Sequence, residues 1–347
     1  NRGIPADYFH MVFRVIIKAP EAVRQKTSFP PILCDRHPAA TAKEDIDLRI
    51  VILILHNQEF NLFFCRVKCK MLETDTEYPK ADIYKRSRLC YNDWKTSETQ
   101  TAEQKMKYLL EAGRLTETSI FSLPEWLIWC GSMIQDTRGK CHLYFSAWER
   151  RHGFDAWVTH SRIGYACAET PASPYRFQSW ILSGSGCRNT WDRDVTHNPA
   201  ILKSDGRYYL YYMGNFSDSG DWWDHRNHQQ AGVAWSRKPE GPFHRLKKPV
   251  IRQKDAVMIS NPSVCRLPDG RFLMIYKWVA QENPAPFYGP VCHGAAFADN
   301  PLGPFIPVRR KLFTVDGCDF PGEDPFVFTV NGRLFCILKD NGRNYSG

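Results

Sequence analysis

The sequence predicts an all-β fold of the β-propeller type, with four recognisable blades after an irregular N-terminal extension. A short pattern recurs about every 63 residues, most clearly at Pro199, Pro262 and Pro325. In each copy two apolar strands flank a Gly-containing turn, which is the signature of a hairpin. A third strand follows each of the first three copies, and there is room for a short fourth. A fixed period of four-stranded antiparallel units indicates a radial array of blades.

Each copy begins with a small or polar pair and continues through a tight turn. The pairs are Gly131-Ser132, Asn198-Pro199, Asn261-Pro262 and Asp324-Pro325. The turns centre on Gly139, Gly206, Gly270 and Gly332. Because Asp and Gly both favour tight turns, Asp136, Asp205 and Asp269 are interpreted as turn formers without a functional role.

Residues 1–120 lack the repeat and form an unassigned N-terminal extension, whereas residues 121–347 form the propeller domain. Within the extension, Arg49–Leu55 and Phe60–Lys68 are predicted to form a hairpin. Helical spacing of apolar residues predicts a helix over Thr101–Gly113, with the glycine as its stop. The chain ends shortly after a strand, so we expect the propeller to be truncated at its C-terminus.

Composition excludes several classes of function. The net charge of +9 comes from scattered basic residues without a run of five, so we expect no nucleic-acid partner. No apolar stretch approaches the roughly 18 residues of a membrane span, so we expect no membrane partner. The 12 cysteines lack metal-ligand spacing, so we expect neither a metal nor a cofactor. The compartment is unassigned; a secreted or periplasmic location is favoured if the full-length chain carries a signal peptide.

Strand direction assigns function to one face of the propeller. The tight turns between the first and second strands of the blades all lie on one face. The starts of the first strands, and the loops between the second and third strands, share the opposite face. These loops are long and rich in charged and aromatic residues: 148–160, 215–228 and 277–293. We therefore expect the functional site on this face.

The blade starts resemble those of five-bladed propeller glycoside hydrolases, the families around glycoside hydrolase family 43 and family 117. The resemblance is carried by four segments: Trp129-Cys130-Gly131-Ser132, His197-Asn198-Pro199, Asn261-Pro262-Ser263 and Gly322-Glu323-Asp324-Pro325-Phe326. It implies hydrolysis of a glycosidic bond by carboxylates on the pocket floor. It also implies a fifth blade, which either lies beyond Gly347 or is supplied by the N-terminal extension.

Three carboxylates are the candidate catalytic groups. Glu323 is the expected general acid, because the charge of neighbouring Asp324 would raise its pKa. Asp194 is favoured as the base that activates water, although a solvated Asp194 paired with Arg193 is nearly as well supported. Blade one carries Gly131-Ser132 where family 43 has its Asp base, so Asp155 and Asp340 remain rival bases.

The candidate substrate-binding residues surround these carboxylates on the same face. His197 would hold a sugar hydroxyl or donate a proton, and Trp148 and Trp222 would stack on sugar rings. The full set is His197, Asn198, Asn261, Trp148, Arg226, Lys277 and His293.

The sequence thus favours an exo-acting glycoside hydrolase on an oligosaccharide or polysaccharide, in which long loops wall off a pocket. A non-catalytic carbohydrate-binding propeller is the first alternative, because the blade-one Asp is absent. A glycoside phosphorylase is another and would need a phosphate-binding cluster such as Arg226 with His228. A protein-interaction propeller is disfavoured, since no Trp-Asp repeat closes each blade.

Overall fold

The structure is a computed structural model that describes residues 120–309, 311–314, 318–330 and 333–340, and four N-terminal strands. The chain divides into two compact units. One contains residues 1–14, 49–65 and 115–347, and the other contains residues 15–48 and 66–114. The predicted N-terminal extension is thus shared between the two units.

The strands and helices are as follows. The N-terminal strands are β1 (Val15–Ile16), β2 (Asp45–His56), β3 (Glu59–Lys70) and β4 (Glu111–Ala112). The first two blades contain β5 (Trp126–Gln135), β6 (Cys141–Glu149), β7 (Arg162–Ala168), β8 (Arg176–Leu182), β9 (Val195–Ser204), β10 (Arg207–Asn215), β11 (Gln230–Ser236) and β12 (His244–Arg245). The remaining strands are β13 (Ala256–Arg266), β14 (Phe272–Ala280), β15 (Val291–Ala298), β16 (Ile306–Arg309), β17 (Gly322–Val330) and β18 (Arg333–Asp340). The helices are α1 (Trp157–His160) and α2 (Trp222–Asn227), with 3₁₀ turns at Arg150–His152 and Phe154–Ala156. Among the described residues, no helix has the length and apolarity to cross a membrane.

The blades are four-stranded sheets, and the predicted β-propeller fold is confirmed. Their orders are β5-β6-β7-β8, β9-β10-β11-β12, β13-β14-β15-β16 and β17-β18-β2-β3. The first three are antiparallel throughout. The inner strands of all four sheets, β5, β9, β13 and β17, lie side by side in that order. Two of the predicted turn formers accept backbone N–H groups of their own turns: Asp136 accepts those of Arg138 and Lys140, and Asp269 accepts that of Arg271.

The N-terminal hairpin belongs to the fourth blade. The predicted pair of strands is present as β2 and β3, which are neighbours in that sheet. Strand β2 runs parallel to β18, with Leu334 opposite Ile50 and Lys339 opposite Leu55. The described strands β2 and β3 therefore supply the two outer strands of blade four. Of the predicted helix, residues 101–110 and 113 lie outside the described part, and Glu111–Ala112 form a strand with β1, so the helix prediction is wrong there.

Each inner strand carries a β-bulge at the same level. Two of its residues oppose one residue of the next strand at Cys130-Gly131, Asn198-Pro199, Asn261-Pro262 and Asp324-Pro325. The first residue of each pair has a left-handed φ, between 48° and 53°, a conformation that Asn and Asp tolerate better than most residues. The strands therefore begin before the predicted pairs. In blade one the equivalent pair is Cys130-Gly131, one residue earlier than the predicted Gly131-Ser132.

A glycine in the third strand of each complete blade lies under an aromatic ring. A Cβ would come within 2.5 Å of Phe145 at Gly164, 2.2 Å of Trp191 at Gly232 and 2.5 Å of Tyr276 at Gly294. No side chain fits there without moving a buried ring. The absence of a side chain at these glycines therefore leaves the space that the rings of Phe145, Trp191 and Tyr276 occupy.

We expect Gly232→Ala to lower the free energy of unfolding by about 1–3 kcal/mol, the usual cost of overpacking a core. Urea unfolding measures the change. Gly131→Ala is the matched control, because its Cβ would meet only Leu143 Cδ1, at 3.2 Å. Equal destabilisation by the two variants would contradict the proposed ring contact.

Candidate active site

The four bulge residues meet through one carboxylate. Asp324 Oδ1 accepts hydrogen bonds from Asn261 Nδ2 at 2.5 Å, Asn198 Nδ2 at 3.5 Å and Cys130 Sγ at 3.5 Å. Asn198 Nδ2 also donates to Cys130 Sγ at 2.9 Å. One residue from each inner strand thus contributes to a single cluster, which we call the axial cluster. Asn198 and Asn261, expected to bind substrate, are instead engaged in holding Asp324.

Asp324 retains its proton more strongly than an ordinary Asp. Removal of water, reinforced by the charge of Glu323, raises its pKa to about 6. Three hydrogen-bond donors converge on Oδ1, but they do not compensate for the lost solvation. Asp324 is nevertheless half-buried and not sealed from solvent. It is therefore a carboxyl group poised to change protonation near neutral pH.

Glu323 has the opposite electrostatic environment. Its Oε1 lies 2.5 Å from Lys277 Nζ, and the two side chains are 29% and 14% exposed. The Lys277 ammonium lowers the pKa of Glu323 more than burial raises it. The expectation that Asp324 would raise the pKa of Glu323 is therefore wrong, because the ion pair with Lys277 outweighs that repulsion.

His197 is a neutral imidazole within electrostatic range of Glu323 and Lys277. Its Nδ1 is 2.7 Å from Ser161 Oγ, and the residue is 3% exposed. Burial, aided by the charge of Lys277, lowers its pKa to about 3. The suggestion that His197 donates a proton as an imidazolium is therefore wrong, whereas a role in holding a sugar hydroxyl is compatible with a neutral ring.

His293 positions the strand that carries the carboxylates. It is fully buried, and its Nε2 donates to the Gly322 carbonyl oxygen at 2.8 Å, at the start of β17. Its ring stacks on Phe320 with centroids 4.7 Å apart. Burial lowers the pKa of His293 to about 4, so this ring is neutral as well. The predicted contact between His293 and substrate is replaced by a contact with the backbone.

Asp194 occupies a separate polar cluster. Its carboxylate accepts from Arg193 Nε at 2.8 Å and from the Ser217 N–H at 2.9 Å, and His225 Nδ1 lies 3.8 Å away. Neither Glu323 nor Asp324 is among its contacts in the described part of the chain. This arrangement matches the solvated, Arg193-paired alternative that the sequence left open.

Of the two rival bases, only Asp155 has a described side chain. Asp155 is exposed, and its carbonyl oxygen accepts the Trp222 indole N–H at 3.0 Å. Asp340 ends β18, and its side chain lies outside the described residues.

Trp148 is not a sugar-stacking platform. It is 1% exposed, and its indole donates to the Gly153 carbonyl oxygen at 3.0 Å. Half-buried aromatic rings line the same face instead. The ring centroid of Trp157 lies 5.2 Å from that of His197 and 6.1 Å from that of Trp222. Trp222 contacts Trp223, and Trp223 contacts Phe287, which is 63% exposed, so these rings form a continuous aromatic row.

The long loops of this face are tied to one another across blades. Trp222 joins the blade-two loop to blade one through the Asp155 carbonyl. Arg226 Nη1 donates to the Phe287 carbonyl at 3.2 Å, and Asn227 Nδ2 donates to that of Pro286 at 3.0 Å, which joins blade two to blade three. Arg226 also lies 5.6 Å from the Trp223 ring centroid. The predicted ligand contact Arg226 is therefore part of the loop wall.

Sequence reasoning missed several members of the site. One is Cys130. The sequence repeat predicts Gly131-Ser132 as the blade-one pair, whereas the bulge pair is Cys130-Gly131. Lys339, whose Nζ is 4.3 Å from the Trp129 ring centroid, opposes the rise in the pKa of Asp324. Nothing in the local sequence singles out Lys339 or Ser161.

The chain is similar in structure to several solved glycoside hydrolases. Zg3597, a family 117 glycoside hydrolase produced by the marine bacterium Zobellia galactanivorans, is 20% identical, with a TM-score of 0.47 over 66% of each chain. The GH43_1 enzyme from Xanthomonas citri complexed with xylotriose is 18% identical, with a TM-score of 0.40 over 60% of this chain and 65% of that chain. The RS223 β-xylosidase is 16% identical, with a TM-score of 0.44 over 60% and 69%. No protein-family model and no curated protein matches the sequence. The chain spans just under two thirds of the length of the first two proteins.

Proposed function

We propose that the chain is a glycoside hydrolase that cleaves O-glycosidic bonds with Glu323 and Asp324. The observation that carries the proposal is the pair of adjacent carboxyl groups with opposed pKa shifts, one raised to about 6 and the other lowered. Glycoside hydrolysis needs a protonated carboxyl group that donates to the leaving oxygen. It also needs an ionised carboxylate that either activates a water molecule or attacks the sugar. The resemblance of the blade starts to propeller glycoside hydrolases supports the same reaction.

The pKa directions favour Asp324 as the proton donor and Glu323 as the ionised carboxylate. This reverses the role that the sequence favoured for Glu323. In the proposed reaction, protonated Asp324 transfers its proton to the departing glycosidic oxygen. Glu323, kept ionised by Lys277, takes a proton from the attacking water. The hydroxyl that forms adds to the anomeric carbon, so atoms and charge balance.

The finer part of the proposal is exo action on an oligosaccharide or polysaccharide end. The contacts of Trp222, Arg226 and Asn227 join the long loops of this face to one another, which supports a walled pocket. The aromatic row from Trp157 to Phe287 is suited to stacking on sugar rings.

A non-catalytic carbohydrate-binding propeller is the second candidate. It is favoured by Cys130, which stands in blade one at the bulge position where blade four has Asp324. The pairing of Asp194 with Arg193 points in the same direction, because it engages the carboxylate that the sequence favours as the base. A phosphorylase is disfavoured: Arg226 contacts Asn227 and Phe287, and His228 pairs with Asp224 at 3.0 Å.

The direct test is a turnover screen of the purified chain on aryl glycosides and neutral oligosaccharides, with and without inorganic phosphate. We expect phosphate-independent release of reducing sugar from at least one substrate class. Sugar binding without turnover would support the carbohydrate-binding alternative and overturn the hydrolase. Turnover that requires phosphate and yields a sugar phosphate would identify a phosphorylase.

A further inference from the structure

A cleft next to blade two is rich in positive charge, and none of its lining residues belongs to the axial cluster. It has a volume of about 820 Å³, within the usual size of ligand sites. Its lining includes five basic residues: Arg188, Arg193, Lys247, Lys248 and Arg252. We call it the basic cleft. Ligand pockets are usually mostly apolar, so this density of cations is itself informative.

The basic cleft lies on the same face as the carboxylates. Residues 188–193 connect β8 to the start of β9, and residues 247–252 connect β12 to β13. Phe216 and Asp218 belong to the loop that follows β10. All these connections join strands at the ends where the inner strands begin. The basic cleft and the carboxylates therefore lie toward the same side of the blades.

Most of the positive charge in the cleft is uncompensated. Asp218 is the one carboxylate in the lining, and it pairs with Arg193 at 3.1 Å. Arg193 is also bound to Asp194. Within the described part of the chain, Arg188, Lys247, Lys248 and Arg252 have no hydrogen bond or ion pair through their side chains, and all four are exposed. Four cations thus face one cleft without a counter-charge.

An aromatic wall accompanies the cations. Trp191 is 7% exposed, and its ring is stacked on Tyr212 with centroids 5.2 Å apart. Its buried Nε1 has no hydrogen-bond partner among the described residues. Phe216 is half-buried under the guanidinium of Arg193, with the ring centroid 5.6 Å away. Trp191 is buried like Trp148, so the half-buried Phe216 is the ring of this cleft suited to a sugar face beside the cations.

We propose that the basic cleft binds negatively charged substituents, sulfate ester or carboxylate groups, of the saccharide on which Glu323 and Asp324 act. The inference rests on the proposed glycoside hydrolase function and adds a substrate class, an anionic polysaccharide. Sulfate and carboxylate share the oxyanion chemistry that ammonium and guanidinium groups recognise. Because the cations are exposed, the attraction is screened by salt.

Binding of defined probes to the full chain tests the inference. The probes are a sulfated galactan oligosaccharide, its chemically desulfated counterpart, an oligogalacturonate of the same length and a short single-stranded DNA. Calorimetric titration at 50 and 300 mM NaCl gives the affinities. The test variant is Lys247→Gln/Lys248→Gln. The control is Arg237→Gln/Lys238→Gln, which removes the same charge from exposed positions after β11, at the opposite end of the same blade.

We expect a sulfated or carboxylated probe to bind at least tenfold more tightly than the neutral one at 50 mM NaCl. This difference in affinity should be smaller at 300 mM NaCl. Neutralising two exposed ion pairs should weaken that binding by roughly tenfold. The control should change it less than twofold. Preference between the sulfated and carboxylated probes identifies which substituent is recognised.

Several results would overturn the inference. Equal losses in test and control variants would show that net charge alone attracts the probe. Indifference to the charge of the saccharide, or tighter binding of DNA than of any saccharide, would also overturn it. Turnover of a neutral aryl glycoside should be unchanged in Lys247→Gln/Lys248→Gln. If that turnover exists but charge makes no difference to binding, the cleft assignment fails and the hydrolase stands. If charged saccharides bind through Lys247 and Lys248 but nothing is turned over, the hydrolase fails and the cleft stands.

Discussion

Asp324→Asn is expected to reduce turnover by about 10²–10⁴-fold and, at pH 8, to make the folded protein more stable. The first effect follows from loss of the proton donor, since general acid catalysis contributes about that factor. The second follows from the cost of ionising Asp324 in a site with little water. The two effects have opposite signs, which a purely structural role for Asp324 would not produce.

The dependence on pH fixes the sign of the stability effect. The pKa of Asp324 rises from 3.8 to about 6 in the folded protein. The folded state therefore binds the proton more tightly than the unfolded state, and stability falls as the pH rises between these values. Above pH 6 the full penalty is present. For a half-buried carboxyl we expect it to be about 1–2 kcal/mol, which the uncharged amide removes.

The asparagine amide also fits the axial cluster. Its Oδ1 can accept from Asn261 and Asn198 as the carboxylate does. The measurement is urea unfolding of both proteins at pH 4.5 and pH 8, beside a pH–rate profile of the wild type. The rate should decline as the pH rises through about 6. The stability difference between the two proteins should be larger at pH 8 than at pH 4.5.

Asp205→Asn is the matched control for this variant. Asp205 also has a left-handed φ, 49°, and lies at the other end of an inner strand, in a tight turn. We expect its replacement to leave turnover unchanged. Destabilisation of Asp324→Asn at pH 8, or retention of its activity, would refute the assigned proton donor.

The blade architecture could be predicted from the sequence because local chemistry determines it. Gly206 and Gly270 follow Asp in tight turns, and the apolar residues on both sides pair as hairpins. The common spacing of Pro199, Pro262 and Pro325 aligned three bulges correctly. Blade one has no proline at this point, so the repeat predicts the pair one residue too late and does not identify Cys130.

The electrostatics of the site could not be predicted, because they depend on distant parts of the chain. The pKa of Glu323 is decided by Lys277 on β14, in the neighbouring blade. Local sequence suggested only the effect of adjacent Asp324, which has the opposite sign. The burial of Trp148 is similar: its aromatic character is visible in the sequence, but its 1% exposure results from packing with loop residues such as Gly153.

Glu323 and Lys277 should behave as one unit when they are mutated singly and together. Glu323→Gln is expected to reduce turnover by about 10²–10⁴-fold, because an amide cannot take a proton from water. It also leaves the Lys277 ammonium without its partner. Lys277→Met leaves a half-buried carboxylate unpaired, so the pKa of Glu323 should return toward or above its usual range and activity should fall at acidic pH.

The stability of the double variant separates pairing from two independent roles. Each single change should lower the free energy of unfolding at pH 7, whereas Glu323→Gln/Lys277→Met should recover roughly 1 kcal/mol of the summed loss, since no unpaired charge remains. The lowered pKa of Glu323 means that the pair stabilises the fold above pH 4.5 and loses this effect as the pH falls through the lowered value. The recovery should therefore be present at pH 7 and absent in strong acid. Because the double variant restores the fold but not the carboxylate, its turnover should remain as low as that of Glu323→Gln. Additive losses of stability would show that Lys277 and Glu323 act independently, and restored turnover would show that Glu323 is not the catalytic carboxylate.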